Sequence, residues 1–301
     1  MKVIITDGIH PKGAELLRNA GLEVTEKKLS PDELLDQIKN YDAIIVRSAT
    51  KVPKEVIDAG SLKCIARGGV GLDNIDTVYA KEKGIPVLNT PGASSISVAE
   101  LAIGHMIGVS RFLHLSNTAM REGKWPKKEY KAGRELTGKT LGLMGLGAIG
   151  RETAKRAIGL MMNVIAYDPF VKETGLDVKL VTKDELLAQS DYISMHMPFI
   201  KAEGAAMGEE EFKKVKKGLV LVNCARGGVV NEKALLAALN DGTVDYAGID
   251  VFENEPPTDA QKELINHPNV SVTPHIGAST GEAQERVGVE IAEKVINCLK
   301  G

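Results

Sequence analysis

The chain of 301 residues has only three cysteines, one tryptophan and 4% aromatic residues, and its 38 basic residues nearly balance 40 acidic ones. Each shortage excludes something. Cys64, Cys224 and Cys298 are odd in number and far apart, unlike a disulfide framework or a metal cluster, so reduced thiols and no metal are expected. A net charge of -2 supplies no basic field for nucleic acid and no acidic tail, which leaves a small molecule as the expected partner. No run of eighteen apolar residues occurs, and Met1-Lys2-Val3-Ile4-Ile5-Thr6-Asp7 is too short in apolar length for a signal peptide. A soluble, cytoplasmic protein without membrane contact is therefore expected. The length exceeds the usual single domain of about 100–200 residues, so two domains are expected.

Glycine is plentiful, at 31 residues, and its placement is informative. Leu141-Gly142-Leu143-Met144-Gly145-Leu146-Gly147-Ala148-Ile149-Gly150 reads as strand, glycine turn and helix start. Gly145 permits the tight turn, Gly147 lets backbone approach a pyrophosphate, and Gly150 brings the helix close to the strand. The first N–H groups of that helix, around Ala148 and Ile149, then face phosphate. Asp168 closes the apolar run Val164-Ile165-Ala166-Tyr167 at about 20 residues' distance, where its carboxylate can accept hydrogen bonds from a ribose diol. Pro169-Phe170-Val171-Lys172 follows without an arginine for a 2′-phosphate, so NAD rather than NADP is expected.

Around this fingerprint the chain alternates between strand and helix signals. Val3–Ile5, Ala43–Val46, Cys64–Ala66 and Val87–Leu88 read as strands, with a helix start at Ser30-Pro31-Asp32-Glu33, where Ser30 and Glu33 can form a capping box. One long helix is predicted from about Ser95 to Arg121, with Gly104 and Gly108 on a face open to close packing. Strands are then predicted at Leu141–Met144, Val164–Tyr167, Tyr192–His196, Val220–Asn223, Ala247–Asp250 and Val270–Thr273. Six strands opening on the glycine fingerprint make a doubly wound parallel sheet.

A second cluster, Arg67-Gly68-Gly69-Val70-Gly71-Leu72-Asp73-Asn74, lacks the third glycine and the acidic strand end. Its backbone N–H groups suit a substrate carboxylate or phosphate instead. Three polar segments fall at the carboxyl ends of later strands: Asn223-Cys224-Ala225-Arg226-Gly227-Gly228, Asp250-Val251-Phe252-Glu253-Asn254-Glu255-Pro256 and Pro274-His275-Ile276-Gly277-Ala278-Ser279-Thr280. An arginine can grip a carboxylate, a histidine can exchange a proton near neutral pH, and a carboxylate beside it fixes its tautomer. His10, His105, His114, His196 and His267 have no such companions in motif and receive no role.

Those segments, with the glycine fingerprint, carry a resemblance to the D-isomer-specific 2-hydroxyacid dehydrogenases over essentially the whole chain. The resemblance implies Arg226, Glu255 and His275 as catalytic residues. It implies NAD contacts from Gly145, Gly147, Ala148, Ile149, Gly150, Asp168, Met197, Cys224, Ala225, Arg226, Asp250, His275 and Gly277. Substrate contacts are implied at Arg47, Ser48, Gly69, Val70, Arg226 and His275. The implied fold is a Rossmann NAD domain, 95–276, and a smaller discontinuous flavodoxin-like substrate domain, 1–94 with 277–301, in a homodimer joined through the nucleotide domains. Ile45–Val52, Arg67–Asn74 and Gly123-Lys124-Trp125 most resemble members acting on 3-phospho-D-glycerate at the start of serine synthesis. In that reading Arg47 meets the substrate phosphate, with Lys127 or Lys128 adding charge from the neighbouring subunit. Members with regulatory modules continue further, so feedback by serine is not expected of a chain stopping at Gly301. The run Met197-Pro198-Phe199-Ile200-Lys201-Ala202-Glu203-Gly204 departs from the Pro-Leu-Thr pattern of relatives, and Ser94 stands where asparagine is frequent. Glyoxylate or hydroxypyruvate reduction is the alternative on the same scaffold. An NAD-sensing corepressor-type protein is the non-enzymatic alternative.

Overall fold

The computed structural model describes residues 1–130 and 133–301, which form two compact units, Met1–Ser95 with Ala278–Gly301 and Ile96–Gly277. In the first unit, β1 (Lys2–Ile5), α1 (Pro11–Asn19), β2 (Glu23–Glu26), α2 (Pro31–Gln37), β3 (Ala43–Val46), α3 (Lys54–Ala59), β4 (Cys64–Arg67), α4 (Thr77–Glu82) and β5 (Val87–Asn89) alternate along the chain. The sheet is parallel in the order β2-β1-β3-β4-β5, the flavodoxin-like doubly wound order. Val3, Ile5, Ala43, Ile45, Cys64 and Ala66 face one side, and Ile4, Ile44, Val46 and Ile65 the other. This continuous apolar run is what a sheet covered by helices on both faces requires. Ser30 and Glu33 do form the capping box, with Pro31 in the first turn of α2.

The second unit opens with two helices, α5 (Ser95–Ser110) and α6 (Leu113–Arg121), where the sequence predicts one. They are bent by 66°. Phe112 between them takes φ 54°, and its ring stacks on Tyr130 at 5.5 Å and meets Tyr246 edge-on at 5.7 Å. Those aromatic contacts compensate a left-handed residue that costs about 1–2 kcal/mol. The face of Gly104 and Gly108 stays open, since among the described residues a Cβ at either would meet no atom within 4 Å. Val98, Ala102, Met106 and Val109 of α5 are instead buried in the core. Among the described residues no single helix is long and apolar enough to cross a membrane.

There follow β6 (Thr140–Met144), α7 (Ala148–Gly159), β7 (Asn163–Tyr167), β8 (Lys179–Leu180), α8 (Lys183–Gln189), β9 (Tyr192–Met195), α9 (Glu209–Phe212), β10 (Leu219–Asn223), α10 (Glu232–Asn240), β11 (Val244–Ile249), α11 (Lys262–Asn266) and β12 (Val270–Val272). The long α12 (Gly281–Lys300) returns to the first unit and packs Ile291, Ala292 and Val295 on its sheet. The seven-stranded parallel sheet runs β12-β11-β10-β9-β6-β7-β8. This is the Rossmann order with one strand added beyond its six, and the switch point lies between β6 and β9. All strands present their carboxyl ends on one edge, where ligands bind in such sheets.

Candidate active site

At the switch point β6 ends in Met144, and Gly145 follows with φ 99°. A Cβ on Gly145 would lie 2.5 Å from the His196 carbonyl oxygen, and one on Gly150 would lie 2.3 Å from the Gly145 carbonyl oxygen. No atom stands within 4 Å of a Cβ placed at Gly147, the residue that caps α7. Two glycines are thus forced by the fold, and the third leaves open space before a helix N-terminus whose first N–H groups lack intrahelical acceptors. Asp168, at the end of β7, accepts the Leu146 N–H at 2.8 Å and the Phe170 N–H at 2.9 Å. Its position is fixed, and its remaining lone pairs suit a diol. A cavity of about 380 Å³ opens here, lined by Gly145, Gly147, Asp168, Met197, Phe170 and Phe199. These residues fit NAD: open backbone for a pyrophosphate, an oriented carboxylate for a ribose and apolar walls for a base.

Next along the edge, Asn223, Ile249 and Val272 lie in register at the ends of β10, β11 and β12. Asn223 organises the first turn, accepting the Ala225 N–H at 3.1 Å and donating to the Arg226 carbonyl at 3.0 Å. Cys224 and Ala225 are buried, and burial pushes the Cys224 thiol well up, which makes it a poor nucleophile. Arg226 is half-buried and donates to the Ala225 carbonyl at 2.7 Å. A Cβ on Gly227 would lie 1.8 Å from the Phe252 carbonyl oxygen, so this turn packs directly on the loop after β11.

Asp250 is only 1% exposed. It accepts the Thr273 hydroxyl at 2.6 Å, the Ile276 N–H at 2.8 Å and the Gly277 N–H at 2.9 Å. Its bonds therefore shape the loop carrying His275. With the Thr273 proton committed to Asp250, the Thr273 oxygen accepts from Nε2 of His105, 3.1 Å away, which sets the His105 tautomer. Burial lowers the His105 pKa while Asp250 opposes that, so this ring is neutral.

His275 itself takes φ 53°, held by its N–H to the Asp250 carbonyl at 2.8 Å. That turn points Nδ1 at Glu255 Oε2, 2.6 Å away, and the other Glu255 oxygen accepts the Phe252 N–H at 3.1 Å. With Nδ1–H donated to a carboxylate, Nε2 is the free proton acceptor. A second cavity of about 460 Å³ is lined by this pair with Phe252, Pro257, Ile265 and Pro274.

In the smaller unit Arg47 follows β3, with its N–H bound to Asp7 Oδ2 at 2.7 Å and its guanidinium to Gln284 Oε1 of α12. Burial works against its charge and Asp7 supports it. Arg67 ends the neighbouring β4, paired in register with Val46. The Gly68 and Gly69 N–H groups turn inward, to the Val46 and Arg67 carbonyls at 2.9 Å each, so the expected outward display does not include them. Val70 is half-buried and Ser48 exposed.

The other histidines have local explanations. His10 caps α1, His267 accepts the Asn269 N–H, and His114 meets the Pro268 carbonyl. His196 contacts Ser194 Oγ through Nε2 at 3.0 Å, its Nδ1 is buried without a partner, and burial pushes its pKa down to about 3. The Asn223 bracket and the His105–Thr273–Asp250 chain were not legible in sequence. The one local sign of the latter is Gly248, where a Cβ would lie 2.5 Å from that of His105.

A dinucleotide cradle beside a histidine–carboxylate pair and an arginine defines an NAD-dependent oxidoreductase. Residues 103–277 match the family model described as D-isomer specific 2-hydroxyacid dehydrogenase, NAD binding domain, and the chain belongs to that family. It is 50% identical to a hydroxypyruvate reductase of Thermotoga maritima, across 99% of this chain and 98% of that one. It is 46% identical to a D-3-phosphoglycerate dehydrogenase of Archaeoglobus fulgidus, across the whole chain but only 58% of that longer relative. Among solved structures, a glyoxylate reductase of Paecilomyes thermophila superimposes with a TM-score of 0.90 at 34% identity, covering 100% of this chain and 95% of that one. D-lactate dehydrogenase of Aquifex aeolicus, complexed with NAD and lactic acid, gives 0.88 at 29%, covering 100% and 96%. The protein is thus an NAD-dependent D-2-hydroxyacid dehydrogenase.

Proposed function

We propose that the substrate is 3-phospho-D-glycerate, oxidised at C2 to 3-phosphohydroxypyruvate, a first step towards serine. The observation that carries this reading is the pair of arginines, Arg47 and Arg67, at adjacent strand ends of the smaller sheet. A dianionic phosphate distal to the reacting carbon calls for such a concentration of cationic charge.

In the proposed mechanism, neutral His275 takes the C2 hydroxyl proton at Nε2 while Glu255 holds Nδ1–H. Bound NAD supplies the hydride acceptor. Arg226 binds the substrate carboxylate and polarises the developing carbonyl. Gly145, Gly147, Asp168 and Met197 would hold the cofactor's adenosine and pyrophosphate portions, and the Cys224–Ala225 turn, Asp250 and Gly277 would serve its nicotinamide end. Arg47, with Ser48 and the Gly69-Val70 turn, binds the distal anion. In reduction the protonated imidazole returns the proton.

The second reading is hydroxypyruvate reduction, favoured by the Thermotoga maritima relative of almost equal length. Turnover of 3-phosphoglycerate and D-glycerate with NAD, and of hydroxypyruvate with NADH, separates the two. The phosphate reading requires kcat/KM for 3-phosphoglycerate to exceed that for D-glycerate, and the reverse order would establish the reductase.

The chain is also proposed to act as a homodimer. Helix α6 has no buried residue, Leu113, Met120 and Trp125 are exposed, and the Gly104–Gly108 face is open. A second copy covering these surfaces would bury them, and light scattering of the purified protein reads the mass directly.

A further inference from the structure

Glu232, the first residue of α10, lies far in sequence from the proposed catalytic pair, yet both its carboxylate oxygens face the loop that presents Glu255. Oε1 accepts the Glu253 N–H at 2.7 Å, and Oε2 accepts an Nε2–H of Gln261 at 3.0 Å. Gln261 is 2% exposed, and its own oxygen accepts both the N–H and the hydroxyl of Thr258, each at 2.9 Å. The two side chains therefore hold the loop on both sides of Glu255, at Glu253 before it and Thr258 after it. Glu255 lies between those points, with one oxygen fixed by the Phe252 N–H and the other meeting His275.

From this geometry we propose that Glu232 and Gln261 are positioning residues, a partly buried brace that sets the Glu255 carboxylate against His275. The proposal rests on the reading of Glu255 as part of the proton relay. Helix capping does not account for Glu232, because Asn231 already caps α10 through the Ala234 N–H at 2.9 Å. Nor is the placement favourable on its own. Burial raises the Glu232 pKa, and the bonds from the Glu253 N–H and Gln261 oppose that without cancelling it. A carboxylate kept in a disfavoured setting with both oxygens engaged is held there by what it binds.

The test is a double-mutant cycle on the NAD-saturated enzyme, with kcat, KM and NADH affinity measured for Glu232→Ala, Glu255→Gln and the double variant. Misplacement of a catalytic group by a fraction of an ångström slows chemistry strongly, so Glu232→Ala should lower kcat roughly 10-fold to 100-fold, with KM and NADH affinity within about twofold. In the Glu255→Gln background the same substitution should cost less than about twofold, because the group it positions is already gone. Glu232→Gln has one carbonyl oxygen for two donors and should fall between wild type and alanine. Independent multiplication of the two losses would overturn the brace, as would an intact kcat in Glu232→Ala alongside a lowered melting temperature. An unchanged kcat in Glu255→Gln has a different signature: it removes Glu255 from the relay, and the brace with it. Gln261→Ala runs through the same cycle should Glu232→Ala fail to fold.

Discussion

Nδ1 of His275 lies 2.6 Å from Oε2 of Glu255, and each residue is tied down separately, the His275 backbone by its N–H to the Asp250 carbonyl and the other Glu255 carboxylate oxygen by the Phe252 N–H. The pair is assembled before any ligand arrives, so its two members should differ in what their loss costs. His275→Ala removes the proton acceptor and should lower kcat by roughly 10²–10⁴ with NADH affinity kept. Glu255→Gln keeps a hydrogen-bond acceptor but loses the charge. A charge-assisted bond contributes about 1.5–3 kcal/mol, so that variant should lose about 10-fold to 100-fold. Steady-state kinetics with NADH titration checks both, and near-normal turnover in His275→Ala would falsify the acid/base assignment.

Arg47 offers a differential prediction. Its guanidinium is half-buried and bonded to the neutral amide of Gln284, with Asp7 supporting its charge. Arg47→Ala should reduce kcat/KM for 3-phosphoglycerate by about 10-fold or more, as befits loss of a charged hydrogen bond, and change that for D-glycerate little. Equal losses on both substrates would mean that Arg47 supports the fold of the smaller unit and not the phosphate.

Asp168 bears on the cofactor. With its oxygens accepting the Leu146 and Phe170 N–H groups, the carboxylate cannot easily swing away from an incoming ribose. A 2′-phosphate would meet a fixed negative charge, so NADH should bind at least about 10-fold more tightly than NADPH. Asp168→Ser should narrow that gap. Fluorescence titration of both cofactors decides, and tighter NADPH binding by the wild type would remove Asp168 from the assignment.

The glycine fingerprint was legible because sterics force it: Gly145 and Gly150 have no room for a Cβ, and such constraints show as residue type at fixed spacing. Other parts carried no such mark. Strand β2 reads Glu23-Val24-Thr25-Glu26, and an edge strand partly open to solvent needs no apolar run. The two-residue β8 is another edge strand, too short to show any alternation. The break at Phe112 arises from ring contacts with Tyr130 and Tyr246, which are tertiary and leave no local helix-stop signal. The site divides the same way. Arg226, Glu255 and His275 stood out by type at strand ends. The residues that orient them carry no such mark: Asn223 works within its own turn, and His105, Glu232 and Gln261 bond to partners distant in sequence that no periodicity connects.

Two buried histidines give a pH dependence of stability. Burial pushes His196 down to about 3, and burial lowers His105 as well, with Asp250 partly offsetting it. In the unfolded chain both titrate near about 6.5. Below that value the unfolded state binds protons that the folded state refuses, so stability is complete above about pH 6.5 and falls as pH drops towards the folded values. His196, with a folded value well below this range, contributes a slope of about 1.4 kcal/mol per pH unit, and His105 adds to it in the same direction. The carboxylates whose pKa values the fold lowers, such as Asp42, with its Lys2 N–H bond, lose their contribution only as they protonate, below about pH 4.5. In the interval from pH 6.5 to 5 the lowered carboxylates are therefore silent, Glu232, whose pKa burial raises, acts in the opposite direction, and a comparison with a histidine variant separates the histidine part. Urea unfolding followed by circular dichroism at pH 7.5, 6.5, 5.75 and 5 should show a steady loss in the wild type. His196→Asn, which retains a polar group near Ser194 without the titration, should flatten the slope by about 1.4 kcal/mol per unit. A slope unchanged from wild type would show that His196 is protonated in the folded protein, contrary to its burial at the cofactor cavity.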